Sequence, residues 1–453
     1  MKSTLLIAFF ACASLTALTA SAQTVQPVSQ PGPNDTAGMT AKTIAIVGGK
    51  VLTVTHGTIE NGTVIMSGGK IVAVGSAKAT KVPAGAEIFD AKGMTVYPGL
   101  FDAETNLGLT EVASDQNSND LAETADEIEP QMHAADAFHA ETVHIPVDRL
   151  NGITNAIVAP ASEDSIAGQD SVIQLYGRDR DQMLMQRDVA LAMNFEGSVR
   201  RKGNFNGGPS KFPTTRMGLA SQIRQAFLDA QAYEVERAAA TKPDHKGVPP
   251  KRDLKLEALL PYLHGEKPVV LAARESYEVE VAMGLAKEFH LKVILNHVTH
   301  AQDVLDEIAS YHVPVIVGSV YDFPRPDERY DAVYSLPAEL QKRGVKIALS
   351  SDGGGEGGSR NLPYAAGYAV AYGLPYDEAL KAITLNPAEM FGLGDSLGSL
   401  DVGKTANVVV ANGDPLDVRT SVKQVFIDGN AVPMVSRQTK LRDEYMPLTT
   451  KKP

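Results

Sequence analysis

Between Thr43 and Thr95 the chain alternates short β-prone runs with turn residues. Ile44 to Val47, Lys50 to Thr53, Thr63 to Met66 and Lys70 to Val74 are the strand candidates, and Gly48-Gly49, Asn61-Gly62 and Gly68-Gly69 stand between them as hairpin-type turns. A similar pattern returns at Asn407 to Ala411 and Gln424 to Ile427, followed by Asp428-Gly429. In the middle, apolar runs alternate with helical stretches, which predicts βα units around a parallel sheet. The runs are Val96 to Phe101, Thr154 to Ala159, Val172 to Tyr176, Val189 to Asn194, Pro268 to Ala272, Lys292 to His297, Val313 to Gly318 and Lys346 to Ser350. Eight of them fit an α/β fold of the (β/α)8 TIM-like barrel type, for which about 250 residues is typical. Two insertions interrupt the alternation, an acidic one at Glu111 to His144 and a basic, Pro-rich one at Arg200 to Leu254. Both are predicted as loops over the barrel mouth, where such loops select substrate.

Composition narrows the setting. A chain of 453 residues with 43% hydrophobic content exceeds one ordinary core and suits a globular protein. Met1 to Ala22 has the form of an export signal: Lys2, an apolar run from Leu5 to Leu18, and Ala20-Ser21-Ala22 as a cleavage site. The apolar run is short for a membrane span. Cys12, the only cysteine, lies inside it, so the mature chain would carry no disulfide, cysteine nucleophile or cysteine zinc ligand. The expected location is periplasmic or secreted, with no membrane contact in the mature form. A net charge of −12 argues against nucleic acid and anionic membranes as partners. The predicted organisation is a signal at 1–22, a flexible leader at 23–42, a β unit at 43–95, a barrel at 96–392, a second β part at 393–440 and a tail at 441–453.

Four landmarks carry a family resemblance. Pro98-Gly99-Leu100-Phe101-Asp102-Ala103-Glu104-Thr105-Asn106 resembles the first-strand motif of the amidohydrolase superfamily, in which Pro-Gly, two apolar residues and Asp precede two histidines spaced two apart. Leu349-Ser350-Ser351-Asp352-Gly353 resembles its strand-8 motif. Gly373-Leu374 followed by Glu378-Ala379-Leu380-Lys381-Ala382-Ile383-Thr384-Leu385-Asn386-Pro387-Ala388 is similar to its next helix and turn, and Leu397-Gly398-Ser399-Leu400 with Gly403-Lys404-Thr405-Ala406-Asn407 to its closing segment. The resemblance extends to the imidazolonepropionase-like and prolidase-like branch. It implies a barrel inserted into a small β-sandwich built from both chain ends.

The resemblance also implies a metal centre, and the ligands are incomplete. Where the family has the strand-1 histidine pair, this chain has Glu104 and Asn106; where it has strand-5 histidines, it has Ala272 and Arg274. His297, in Asn296-His297-Val298-Thr299, matches the strand-6 ligand, and Asp352 matches the strand-8 acid/base. Glu196 falls near the strand-4 position. Two arrangements follow. Glu104 and His297, with Asp352, would hold one metal ion, for which zinc is chemically suitable. Alternatively, Arg274 sits between Glu104 and Asp352 and replaces the metal's charge, since three carboxylates without a cation repel one another. Arg274 and Glu196 are the candidate substrate contacts in either case. His300 is read as an exposed residue or cap contact on the first turn of the helix after strand 6, and His133, His139 and His144 as loop residues. Gly353 to Gly358 reads as a loop beside the pocket. Two functions stay open: a hydrolase of non-peptide C–N bonds or small amides with Asp352 as general base, and a barrel that has lost catalysis and binds a small ligand or partner.

Overall fold

In the computed structural model, residues 42–123, 125–197, 212–352 and 358–450 are described, with side chains to 446. The expected export signal with its Cys12, the leader through residue 41, the start of the second insertion at 198–211, the glycine run at 353–357 and the last residues of the tail lie outside the described residues. Among the described residues no helix is long and apolar enough to cross a membrane.

The first β unit comprises β1 (Ile44–Leu52), β2 (Thr58–Ser67), β3 (Lys70–Ser76), β4 (Glu87–Asp90) and β5 (Thr95–Pro98). Gly68 and Gly69, both at positive φ, turn the chain between β2 and β3. The other two expected turns do not turn. Gly49 and Gly62 are register partners inside β1 and β2, at irregularities in that ladder. A Cβ on Gly62 would come within 2.4 Å of Val51 Cγ2, and one on Gly49 within 2.7 Å of Val96 Cγ2. These glycines allow close approach of a neighbouring side chain, not reversal.

The predicted first barrel strand, Val96 to Phe101, is two strands. β5 belongs to the end sheet and β6 (Leu100–Thr105) to the barrel. The change of sheet occurs at Gly99: Gly99 N donates to Asn407 O and Leu100 N to Gly152 O, both at 2.9 Å. No side chain fits there, because a Cβ on Gly99 would lie 2.1 Å from Thr154 Oγ1.

The barrel continues with β7 (Ile153–Val158), β8 (Ile166–Gln174), β9 (Leu184–Asn194), β10 (Val269–Ala272), β11 (Val293–Val298), β12 (Val315–Val317) and β13 (Ile347–Leu349), hydrogen-bonded in chain order from β6 to β13. Phe101, Ile157, Val172, Ala190, Val270, Ile294, Ile316 and Ala348 fill its interior. Just past β13, Ser351 N donates to Asp102 Oδ1 at 2.9 Å and ties that strand's end back to β6. The expectation of an all-parallel sheet fails at one strand: β8 runs antiparallel to both β7 and β9. The link at 159–165 is too short for the dozen or more residues a parallel crossover needs. Because β8 is reversed, its first residues lie at the mouth, where the first insertion pairs with them through Ile128↔Ile166 and His133↔Gln169.

The second insertion is helical over part of its described length, with loop at 241–253. Arg216–Ala240 is a 25-residue helix, with the Thr215 side chain accepting from Gly218 N, and it packs on the helix Leu254–Leu263. Leu219, Ile223, Phe227 and Ala230 form its buried stripe, a helical spacing that the basic surface residues mask in the sequence.

After the barrel, β14 (Val408–Ala411), β15 (Val422–Ile427) and β16 (Asn430–Ala431) rejoin the end sheet. Its order is β16-β15-β14-β5-β1-β2-β3, with β4 on β1. Ile46, Val64, Met66, Val96, Val408, Val410 and Phe426 form its core, separate from that of the barrel.

Candidate active site

The C-terminal ends of the barrel strands collect the charged residues. Glu104 is in β6, Glu196 two residues past β9, Arg274 two past β10, His297 in β11 and Asp352 three past β13. Two of these positions are strained: His297 has φ 59° and Asp352 φ 50°, the left-handed region that costs residues other than glycine about 1 kcal/mol or more. Neighbours hold both turns. Asn296 Oδ1 accepts from His297 N at 2.8 Å, and Ser350 Oγ accepts from Asp352 N at 3.2 Å. Strain of this kind concentrates at functional sites because the fold has to maintain it.

His297 is the hub. Its Nδ1 lies 2.6 Å from Glu196 Oε1, and its Nε2 lies 2.7 Å from Glu104 Oε2 and 3.0 Å from Asp352 Oδ1. Arg274 forms the second bridge. Nε donates to Glu196 Oε2 at 3.1 Å, while Nη2 and Nη1 donate to the two Asp352 oxygens at 2.9 and 3.2 Å. The guanidinium therefore sits between Glu196 and Asp352, and not between Glu104 and Asp352. It is imidazole that meets Glu104, because β11 delivers His297 into the centre through its left-handed turn. Glu278, which the sequence reading passed over, fixes the approach of Arg274 by accepting from Arg274 N at 3.0 Å and Glu275 N at 3.3 Å.

Charge balance follows from these contacts. Burial disfavours charge on His297, but Glu104 and Asp352 outweigh it and raise its pKa well above the ordinary value. Burial likewise pushes Asp352 towards neutrality, and His297 and Arg274 overcome this, holding the carboxyl well below the usual range. Glu196 is lowered against its burial by His297 and Arg274. Arg274 is itself raised, with the attraction of Asp352 and Glu196 exceeding the cost of its burial. Without a metal, the centre is thus three carboxylates facing a guanidinium and an imidazolium.

The same donors fit one divalent ion. Glu104, His297 and Asp352 each offer an atom, and these atoms lie within 4.8 Å of one another. One imidazole nitrogen and two carboxylates suit zinc, and Glu196 on Nδ1 is the carboxylate that orients a metal-binding histidine. Among the described residues this is the one such set, which suits a single ion rather than a pair, and Asn106 Nδ2 donates to Ala159 O at 2.7 Å.

The remaining histidines stand apart. His133 pairs with Asp188 at 2.6 Å and His139 with Asp120 at 3.4 Å, while His144 Nε2 lies 3.1 Å from Glu111 O. His300 is neither exposed nor on a helix. It forms a bridge to Glu275, its side chain is mostly buried, and it pairs with Glu328 at 2.9 Å. The sequence reading also missed the loop after β12. Ser319 N donates to Asp352 Oδ2 at 3.3 Å, and the Asp322 carboxylate is 3.7 Å from Arg274 Nη1. No motif marks that loop; only its position after a barrel strand could have drawn notice.

Known proteins resemble this chain in the same region. Residues 267–432 match the model of the Amidohydrolase family. The amidohydrolase tasK of Hapsidospora irregularis is 26% identical over 371 residues, 78% of this chain but 38% of that protein. The imidazolonepropionase of Sphingopyxis alaskensis is 26% identical over 386 residues, 80% of this chain and 89% of that one. Among solved structures, an amidohydrolase from Thermotoga maritima superposes with a TM-score of 0.79 at 29% identity, covering 87% of this chain and 100% of its own.

Proposed function

The chain belongs to the amidohydrolase superfamily, and from that premise we propose that it hydrolyses a non-peptide C–N bond, in a cyclic amide or other small amide, at the centre around His297. The observation that carries this reading is the convergence of His297 Nε2, Glu104 Oε2 and Asp352 Oδ1, with Nδ1 oriented by Glu196. Glu104, His297 and Asp352 would hold one divalent ion, which when bound makes water acidic and polarises a carbonyl. Asp352, held as a carboxylate by the two contacts from Arg274, accepts the attacking water's proton and returns it to the departing nitrogen. Arg274 fixes the carboxylate's orientation through both oxygens, and Glu196 fixes the imidazole. A substrate carboxylate or carbonyl would meet Arg274 on its remaining exposed side.

Export belongs to the same proposal, resting on the charged start, apolar run and Ala20-Ser21-Ala22. N-terminal sequencing of the protein recovered from a bacterial host should begin at Gln23; an intact Met1 start would refute it. For activity, the chain purified without chelator should hold about one equivalent of zinc or another divalent metal, lost in Glu104→Ala and His297→Ala. The metal-loaded protein should release amine or open a ring in a panel of cyclic amides and N-acyl amino acids. A metal-free protein with no turnover on that panel would overturn the reading.

A further inference from the structure

The loop after β12 brings an aromatic wall to the centre. Between Ser319, on Asp352, and Asp322, beside Arg274, stands Tyr321, which is 50% exposed. Its ring centroid lies 5.7 Å from that of Tyr368, which meets Tyr372 at 5.0 Å and Tyr334 at 5.5 Å. These separations are those of offset and edge-on aromatic contacts, so Tyr321 packs on Tyr368, which Tyr334 and Tyr372 in turn hold in place. A cavity of about 120 Å³ adjoins this tyrosine and is lined also by Ser319, Val320, Asp352, Leu362 and Ala365. An apolar cavity of about 150 Å³ accommodates one benzene ring, so this space is on the scale of a single small ring. Phe323, on the same loop, is 85% exposed. The exposed faces of Tyr321 and Phe323 stand beside the charged centre, where a ligand would cover them.

We propose that this cavity is the specificity pocket of the centre, and that it receives a flat apolar ring carried by the substrate next to the bond that is cut, stacked on Tyr321. The pocket rests on the hydrolase reading for what becomes of the ligand, but not for its binding. The substrate class is thereby narrowed to small amides with an aromatic or other apolar ring as the amide's neighbour. A purely polar acyl group would leave the exposed face of Tyr321 uncovered.

The test compares N-acetyl-L-phenylalaninamide with N-acetylglycinamide on the full chain, with binding read by calorimetry and hydrolysis by ammonia release. The ring-bearing compound should bind about 10-fold more tightly or better, the scale on which apolar pockets discriminate hydrocarbon groups. In Tyr321→Ala, at a half-exposed position, the discrimination should fall to about 2-fold, and Ala365→Leu, which fills the cavity from another side, should reduce it in the same way. Circular dichroism melts verify that both variants fold. Equal affinities in the wild type, no binding of either compound, or discrimination unchanged in Tyr321→Ala would overturn the pocket. Turnover of both compounds without discrimination would leave the hydrolase reading standing and remove the pocket. Discrimination in binding without any turnover would do the reverse.

Discussion

Replacing Arg274 by Met keeps most of the side chain's length and removes the charge between Glu196 and Asp352. Three hydrogen bonds disappear, at 3.1, 2.9 and 3.2 Å, and two carboxylates that are nearly buried lose their shared cation. Removing one partner of a buried ion pair costs about 3–5 kcal/mol. The Arg274 side chain is 30% exposed, so solvent screens part of this and the lower end, about 3 kcal/mol, is expected at neutral pH. The pH dependence sharpens the test. Asp352 and Glu196 have native pKa values below the unfolded ones, so each contributes stability above about pH 4 and loses it as pH falls through its lowered value. Without the guanidinium these two acids take up protons more readily in the native state. The gap between wild type and variant should therefore be widest near neutrality and narrow as pH falls towards about 4. Urea unfolding of EDTA-treated protein, followed by far-ultraviolet circular dichroism at about pH 7.5, 6 and 4.5, measures it. A loss below about 1 kcal/mol at neutral pH, or a gap that widens on acidification, would refute Arg274 as the balancing charge.

Other consequences are separately measurable. His297 has a raised native pKa, so its contribution in the metal-free chain is complete below about pH 6.5 and disappears as pH rises through the native value; an alkaline loss of stability that survives His297→Gln would contradict this. Asp352→Asn should lower hydrolysis by about 100-fold or more while the protein still folds, and retained turnover would remove Asp352 as the base. Restoring the strand-1 histidines with Glu104→His and Asn106→His should raise bound metal above the wild-type content; no gain would count against the alignment of positions 104 and 106 with the metal centre. Gly99→Ala should destabilise the chain by about 1–3 kcal/mol, because its Cβ would overlap Thr154; a melting temperature equal to wild type would refute the close approach.

Much of the candidate site could be found in the sequence because short motifs fix local positions. Pro98-Gly99 through Glu104 and Ser350-Ser351-Asp352 stand at strand ends, and the order of strands around a barrel brings such ends together. That Glu196, Arg274, His297 and Asp352 share a centre follows from that rule. Which carboxylate Arg274 would take did not follow, since this depends on the left-handed turns at His297 and Asp352 and on the Glu278 contact. The reversed β8 was concealed for a different reason: an apolar run reads the same in either direction, and only the short link at 159–165 hinted at reversal. The glycines of β1 and β2 misled because a turn and a close approach both require the absence of a Cβ.

The sequence by itself determined the class of fold, the approximate place of most strands, and the residue types available for chemistry. It could do so because hydrophobic period, glycine placement and motif spacing are local properties of a chain. Only the tertiary structure decided that Asn106 Nδ2 donates to Ala159 O, that imidazole rather than guanidinium meets Glu104, and that Tyr321, packed on Tyr368, shares a cavity with Asp352. Those are contacts between residues far apart in the chain, and their distances come from how eight strands and their loops pack, which no local pattern encodes.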